Sequence, residues 1–114
     1  MPDKVYRTAI YCRLSREDGD KVESNSIASQ RAICEDYIAR HDDLELVCEP
    51  FVDDGYSGVS FNRPQFKKLE EAIRKGALDC IVVKDLSRFS RNYIDGGRYI
   101  EKIFPQLGIR FIAI

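Results

Sequence analysis

Read from its amino terminus, the chain alternates between short apolar runs and longer amphipathic ones. Residues 5–12 (VYRTAIYC) are mostly apolar and predict a buried strand. Residues 13–25 (RLSREDGDKVESN) are polar and predict a loop. Ser26 is placed to cap a helix over 27–41, in which Ile27, Ile33, Cys34, Tyr37 and Ile38 make an apolar stripe. Residues 45–52 (ELVCEPFV) predict a second strand, with Pro50 marking an edge position or a bulge because proline has no N–H to give a ladder. The stretch 53–64 (DDGYSGVSFNRP) carries two glycines, two serines and a DG step, and predicts a loop. Pro64 suits the first turn of a helix over roughly 64–75, whose buried face is Phe66, Leu69 and Ile73 and whose stop is Gly76. Residues 79–84 (DCIVVK) predict a third strand. The loop 85–92 (DLSRFSRN) then runs into a helix over roughly 91–104, with Ile94, Gly97, Ile100, Phe104 and Leu107 on one face. Pro105 and Gly108 end that element, and residues 109–114 predict a fourth strand.

The order β-α-β-α-β-α-β predicts an α/β fold: one domain filling residues 1–114, with a mostly parallel sheet of four or more strands and helices on both faces. At 114 residues, 44% hydrophobic and 32% charged, the chain suits one soluble domain with one core. No apolar run reaches membrane-spanning length and the amino terminus has no signal-type stretch, so the expectation is a cytoplasmic protein without a membrane partner. The chain stops within an apolar run, IRFIAI, from which a longer parent protein is expected. Cys12, Cys34, Cys48 and Cys80 have neither metal-pair nor disulfide-framework spacing; Cys12, Cys34 and Cys80 lie in apolar stretches, and reduced, mostly buried thiols are expected. The net charge of −1 argues against a basic nucleic-acid-coating surface and leaves room for a local arginine cluster.

Such a cluster is where the chemistry lies. In an open α/β sheet, ligands bind beyond the carboxyl ends of the strands. Strand one ends in Arg13, Ser15 and Arg16, the next loop carries Ser57, Gly58 and Arg63, and strand three leads to Ser87, Arg88 and Arg91. Gln30, in the opening turns of the first helix, should face the same edge. Converging guanidiniums call for an anion, and their planar forks match phosphate oxygens. Phosphoryl transfer with Ser15 as nucleophile is one reading. A second is a metal-dependent phosphotransfer or nuclease domain with Asp53 and Asp54 holding magnesium. A third is a receiver-like binding module, although its acidic pair would be expected after strand one, where Arg and Ser stand. The single histidine, His41, ends a helix that begins near the proposed site, roughly 20 Å away, which disfavours a Ser-His-Asp triad. There is no GxxxxGK[ST] phosphate loop.

Four segments in a fixed order, YCRLS (11–15), SIASQR (26–31), DDGYSGVSFNRPQF (53–66) and VVKDLSRFSRN (83–92), resemble the catalytic domain of serine recombinases, the resolvase/invertase superfamily. The likeness is greatest to the large serine recombinases of transposons and other mobile elements. The resemblance implies a DNA site-specific recombinase in which Ser15 attacks a backbone phosphate, giving a 5′-phosphoserine link and a free 3′-hydroxyl. It implies no cofactor, metal or ATP, with bond energy kept in the covalent link. It implies recombination-site DNA as partner, a homodimer that assembles into a synaptic tetramer, and bacterial origin. By motif it assigns Arg13, Arg63, Arg88 and Arg91 to the active site, Gln30 to a polar position on the first helix, and Tyr11 and Asp54 to supporting positions. The small resolvases carry Asp where this chain has Ser87, which leaves Asp54 or water as the options for taking the Ser15 proton. Dimerisation and DNA-binding segments of the family are absent from these residues, so DNA recognition is expected elsewhere and this stretch alone is expected to be inactive.

Overall fold

The computed structural model describes residues 4–15 and 26–114; Arg16 and most of the first predicted loop lie outside them. Among the described residues, five strands build one all-parallel sheet: β1 (Tyr6–Leu14), β2 (Leu44–Leu46), β3 (Phe51–Asp54), β4 (Cys80–Val83) and β5 (Arg110–Ala113). The spatial order is β2-β1-β4-β5, with β3 pairing the carboxyl half of β1. Helix α1 (Ile27–Ala39) packs on one face and α2 (Pro64–Arg74) on the other. The α/β architecture is the one the element order predicts.

Strand alternation divides the core in two. Ala9, Tyr11, Ile81 and Val83 face α2 through Phe66, Leu69 and Ile73, while Ile10, Cys12, Cys80 and Val82 face α1 through Cys34 and Ile38. Ser26 caps α1 as expected, its hydroxyl accepting the Ser29 N–H at 3.1 Å. Ile33, assigned to the α1 stripe, is instead 36% exposed, and Gln30 is fully buried. All four cysteines are free thiols, with Cys48 exposed. Burial pushes Cys12 and Cys34 up to about 12 and Cys80 to about 11, so they stay protonated at neutral pH.

Three boundaries differ from the sequence reading. Strand β1 runs on through Arg13 and Leu14 because β3 pairs that stretch, Arg13 opposite Asp53 and Leu14 opposite Asp54. The same pairing draws Asp53 and Asp54 out of the predicted loop. The predicted strand over 45–52 is broken over residues 47–50, the last of them Pro50. Both halves stay on the same side of β1, but the pairing offset grows by two residues, so the inward and outward alternation survives the break.

The third difference is in the last helical stretch. A one-turn helix, α3 (Leu86–Phe89), occupies the predicted loop, and α4 (Tyr93–Arg98) passes into a π-helical turn (Tyr99–Ile103) and a final turn, α5 (Phe104–Gln106). The Phe104 N–H bonds the Tyr99 carbonyl, five residues back, and this wider turn shifts the helical phase. Tyr99, Ile100 and Phe104 therefore pack on the core, whereas Ile94 is 77% exposed and Leu107 37%. Gly76 and Gly108 stop their helices with φ of 77° and 71°, backbone that suits glycine.

Asp53 ties the sheet to α2. Its Oδ1 accepts the Gln65 N–H at 3.0 Å, and its Oδ2 accepts the Phe66 N–H and the Tyr11 hydroxyl, each at 2.9 Å. The residue at the helix's own cap position, Arg63, makes no side-chain cap bond, so the cap comes from β3. Asp53→Ala is expected to cost about 2–4 kcal/mol, from the lost cap and the stranded Tyr11 hydroxyl, read as a lower urea midpoint at unchanged slope.

Candidate functional site

The site is built where β1 outruns β4. Their pairing ends at Ile10 opposite Val82, leaving the backbone of Arg13 without a strand on that side. Side chains take the strand's place. Gln30 accepts the Arg13 N–H at 3.2 Å and donates to the Arg13 carbonyl at 2.9 Å. Arg88 Nη1 donates to the same carbonyl at 3.0 Å. The clasp is reciprocal, since Arg13 Nε donates to the Arg88 carbonyl at 3.2 Å. Ser15 follows directly after the strand and is 6% exposed.

The arginines divide into two kinds. The Arg13 guanidinium is fully buried and also reaches the Tyr56 carbonyl (2.9 Å) and the Ser87 carbonyl (2.6 Å). Arg63 is fully buried too. It donates to the carbonyls of Ser60 (2.7 Å), Gly58 (3.1 Å) and Phe89, and more distantly to the Tyr11 hydroxyl. Its guanidinium carbon lies 4.6 Å from the centre of the Phe61 ring. Backbone carbonyl dipoles thus supply the counter-charge that the sequence reading assigned to an anion alone. The two forks fasten the loops after β3 and β4 to each other and to β1. Arg88, by contrast, sits at the inner end of the clasp with 2% exposure, and Arg91 is exposed.

Gly58 is where these groups meet. Its carbonyl accepts from Arg63 Nη2 and from the Arg91 backbone N–H (2.7 Å). A Cβ there would lie 2.7 Å from Arg13 Nη2 and 2.9 Å from Arg91 Cγ, so only glycine lets the loop come this close.

The supporting positions fall in different places. Tyr11 is buried between Asp53 and Arg63, and burial pushes its phenol well above the ordinary value, with Arg63 pulling less strongly the other way. Asp54 is exposed at the end of β3, in register with Leu14, the residue before Ser15. Ser87 donates its proton to Asp85 Oδ1 at 2.5 Å and accepts from Arg88 Nε and Nη2, each at 3.3 Å. The Asp85 carboxylate also caps α3 by accepting the Arg88 N–H at 3.2 Å. Burial pushes its pKa up, but the Ser87 hydroxyl bond, the Arg88 charge and N–H and the Lys84 charge outweigh that and leave it lowered.

His41 lies at the far edge as expected. Its carbonyl accepts from Leu44, which pairs with Tyr6 at the amino end of β1. The reading from sequence missed Asp85 and the separate role of Asp53. Asp85 could have been found as an N-cap signal, an Asp opening the short stretch LSRF. Nothing local to Asp53 distinguishes it from Asp54. Among the described residues, no group of three or more His, Cys, Asp or Glu is placed to hold a metal ion, and no helix is long and apolar enough to cross a membrane.

Comparison with known proteins places this geometry. The catalytic domain of TP901-1 integrase superposes with a TM-score of 0.80 at 29% identity, covering 94% of this chain and 75% of that one. A resolvase family site-specific recombinase from Streptococcus pneumoniae gives 0.76 at 27% identity, covering 97% of this chain and 72% of that one. A Bacillus subtilis (strain 168) protein named "Putative DNA recombinase" is 31% identical over 87 residues, 76% of this chain. The chain spans 16% of that relative's length. The family model described as "Resolvase, N terminal domain" matches residues 8–114, nearly everything from the first strand onward, and the chain therefore belongs to the resolvase N-terminal domain family.

Proposed function

We propose that this domain performs the strand cutting and rejoining of a DNA site-specific recombinase, with Ser15 as nucleophile. The Ser15 oxygen attacks a backbone phosphorus, the bond from phosphorus to the 3′-oxygen breaks, and the departing oxygen takes up a proton as a 3′-hydroxyl. The product is a 5′-phosphoserine. Reversal by a 3′-hydroxyl from another end rejoins the strand. Arg88 and Arg91 hold the non-bridging oxygens, where negative charge builds in the transition state. Arg13 and Arg63 shape the cradle from behind. Arginine is a poor base, so the Ser15 proton passes to Asp54 or to water. The DNA is a pair of recombination sites, each bound by a dimer, and two dimers join into a tetramer. The setting is the bacterial cytoplasm.

The observation that carries this reading is the strand end itself. A hydroxyl stands two residues beyond a backbone carbonyl clasped by Arg88, in a family whose solved relatives are named as an integrase and a site-specific recombinase. The paired-aspartate alternatives lose their basis, because the Asp53 carboxylate is committed to Tyr11 and to two helix N–H groups.

The test is covalent trapping. The full-length protein, incubated with DNA carrying the ends of its own element in excess EDTA, is expected to form a protein–DNA adduct whose phosphoserine maps to Ser15 by mass spectrometry. An adduct on another residue, or cleavage that needs added magnesium, would overturn the proposal.

A further inference from the structure

We propose that Asp85 is a positioning residue of this site, fixing the Arg88 guanidinium through the hydroxyl of Ser87, beside a long direct ion pair of 3.9 Å that by itself sets no hydrogen-bond geometry. The inference rests on the proposed phosphate chemistry, which makes Arg88 worth fixing.

A serine hydroxyl has one proton and two lone pairs. Ser87 gives that proton to Asp85 Oδ1 at 2.5 Å, so the lone pairs are left to Arg88, whose Nε and Nη2 both point at the oxygen from 3.3 Å. The polarity of the chain is thereby set: carboxylate, hydroxyl, guanidinium. Without the carboxylate the hydroxyl could turn its proton toward the cation, where it repels. The direct separation of Arg88 Nε from Asp85 Oδ1 is 3.9 Å, too long for a hydrogen bond.

The arrangement holds the guanidinium on two edges. Ser87 takes the Nε and Nη2 edge, and the Arg13 carbonyl takes Nη1 at 3.0 Å. The Asp85 carboxylate also accepts the Arg88 backbone N–H, so one group is the reference point for both the main chain and the side chain of Arg88. A carboxylate forked directly onto Nε and Nη2 would occupy the same donors and neutralise the cation. A hydroxyl spacer fixes the plane of the guanidinium while the Asp85 carboxylate stays 3.9 Å from Nε. Lys84 is the other charged group acting on Asp85.

The test is a double-mutant cycle in the full-length protein, reading single-turnover cleavage of its own recombination-site DNA beside DNA affinity and thermal midpoint. Asp85→Ala removes the acceptor of the Ser87 proton together with the α3 cap, whereas Asp85→Asn keeps an Oδ1 that can accept both bonds and is expected to retain most of the rate. Ser87→Ala and Asp85→Ala are each expected to slow cleavage by about 10- to 100-fold with affinity nearly unchanged, as for a slightly misplaced catalytic group. Adding Asp85→Ala to Ser87→Ala is expected to slow cleavage far less than Asp85→Ala does alone, since the link is already cut. Ser87→Thr, which keeps a hydroxyl, is expected to recover most of the rate. In the 114-residue chain, the Arg88 Nε–H signal in nitrogen-15 NMR is expected to be protected from solvent exchange in the wild type and in Ser87→Thr, and unprotected in Ser87→Ala.

Additive losses, a Ser87→Thr variant as slow as Ser87→Ala, or Arg88 protection that survives Ser87→Ala would each overturn the proposal. A wild-type protein that never cleaves would defeat the strand-cutting reading instead, and the NMR comparison would still decide whether Asp85 and Ser87 hold Arg88.

Discussion

Ser15→Ala in the full-length protein is expected to abolish covalent attachment to DNA, slowing cleavage by about 10⁴- to 10⁶-fold, in the range seen when a nucleophile is removed. That corresponds to roughly 5–8 kcal/mol of transition-state stabilisation. The substitution removes one oxygen from a residue just past the end of β1, where it is 6% exposed, and leaves the pairing of β1 with β3 untouched. Affinity for DNA and thermal midpoint should therefore stay close to wild type. Gel-resolved adducts on a nicked substrate provide the measurement, with binding followed by titration. Adducts that persist in Ser15→Ala would remove Ser15 from the reaction. Loss of binding in step with loss of cleavage would show that the residue supports the fold and not the chemistry.

Arg63→Lys is expected to act on stability first. The guanidinium reaches carbonyls at Gly58, Ser60 and Phe89 from one planar fork. An ammonium has three donors on a single nitrogen and cannot span them. The Gly58 carbonyl would keep the Arg91 N–H and the exposed Ser60 carbonyl could turn to water, so the loss of the Phe89 bond and the weakening of the others are expected to cost roughly 2–4 kcal/mol in total. Against the ~5–15 kcal/mol of a typical domain this is a large fraction. Urea denaturation of this chain should show the midpoint fall, whereas Arg91→Lys, at an exposed position that keeps both its charge and its backbone bond to Gly58, should stay within about 1 kcal/mol. Equal midpoints for the two variants would mean that Arg63 is not the fastener its contacts describe. Cleavage lost at unchanged stability would return Arg63 to direct phosphate binding, the part that family likeness gives it.

The amino-acid sequence by itself determined the α/β class, the element order, the Ser26 cap and the glycine stops at 76 and 108, because each depends on periodicity or on the backbone preference of a residue and its near neighbours. It also determined that Ser15, Arg63, Arg88 and Arg91 would come to one edge, since parallel strands present their following loops on the same side. Tertiary structure decided what those groups do there. Arg13 bonds carbonyls 43, 74 and 75 residues away, so nothing local distinguishes its buried fork from the exposed side chain of Arg91. Asp53 and Asp54 are neighbours of the same type, and only the strand's alternation against β1 turns one inward to Tyr11 and α2 and leaves the other outside. The outward turn of Ile94 followed from one π-helical turn, which shifts the phase that a regular 3.6-residue count assumes. Local rules fix elements and their order; the burial of a charge depends on whether distant carbonyls arrive to meet it.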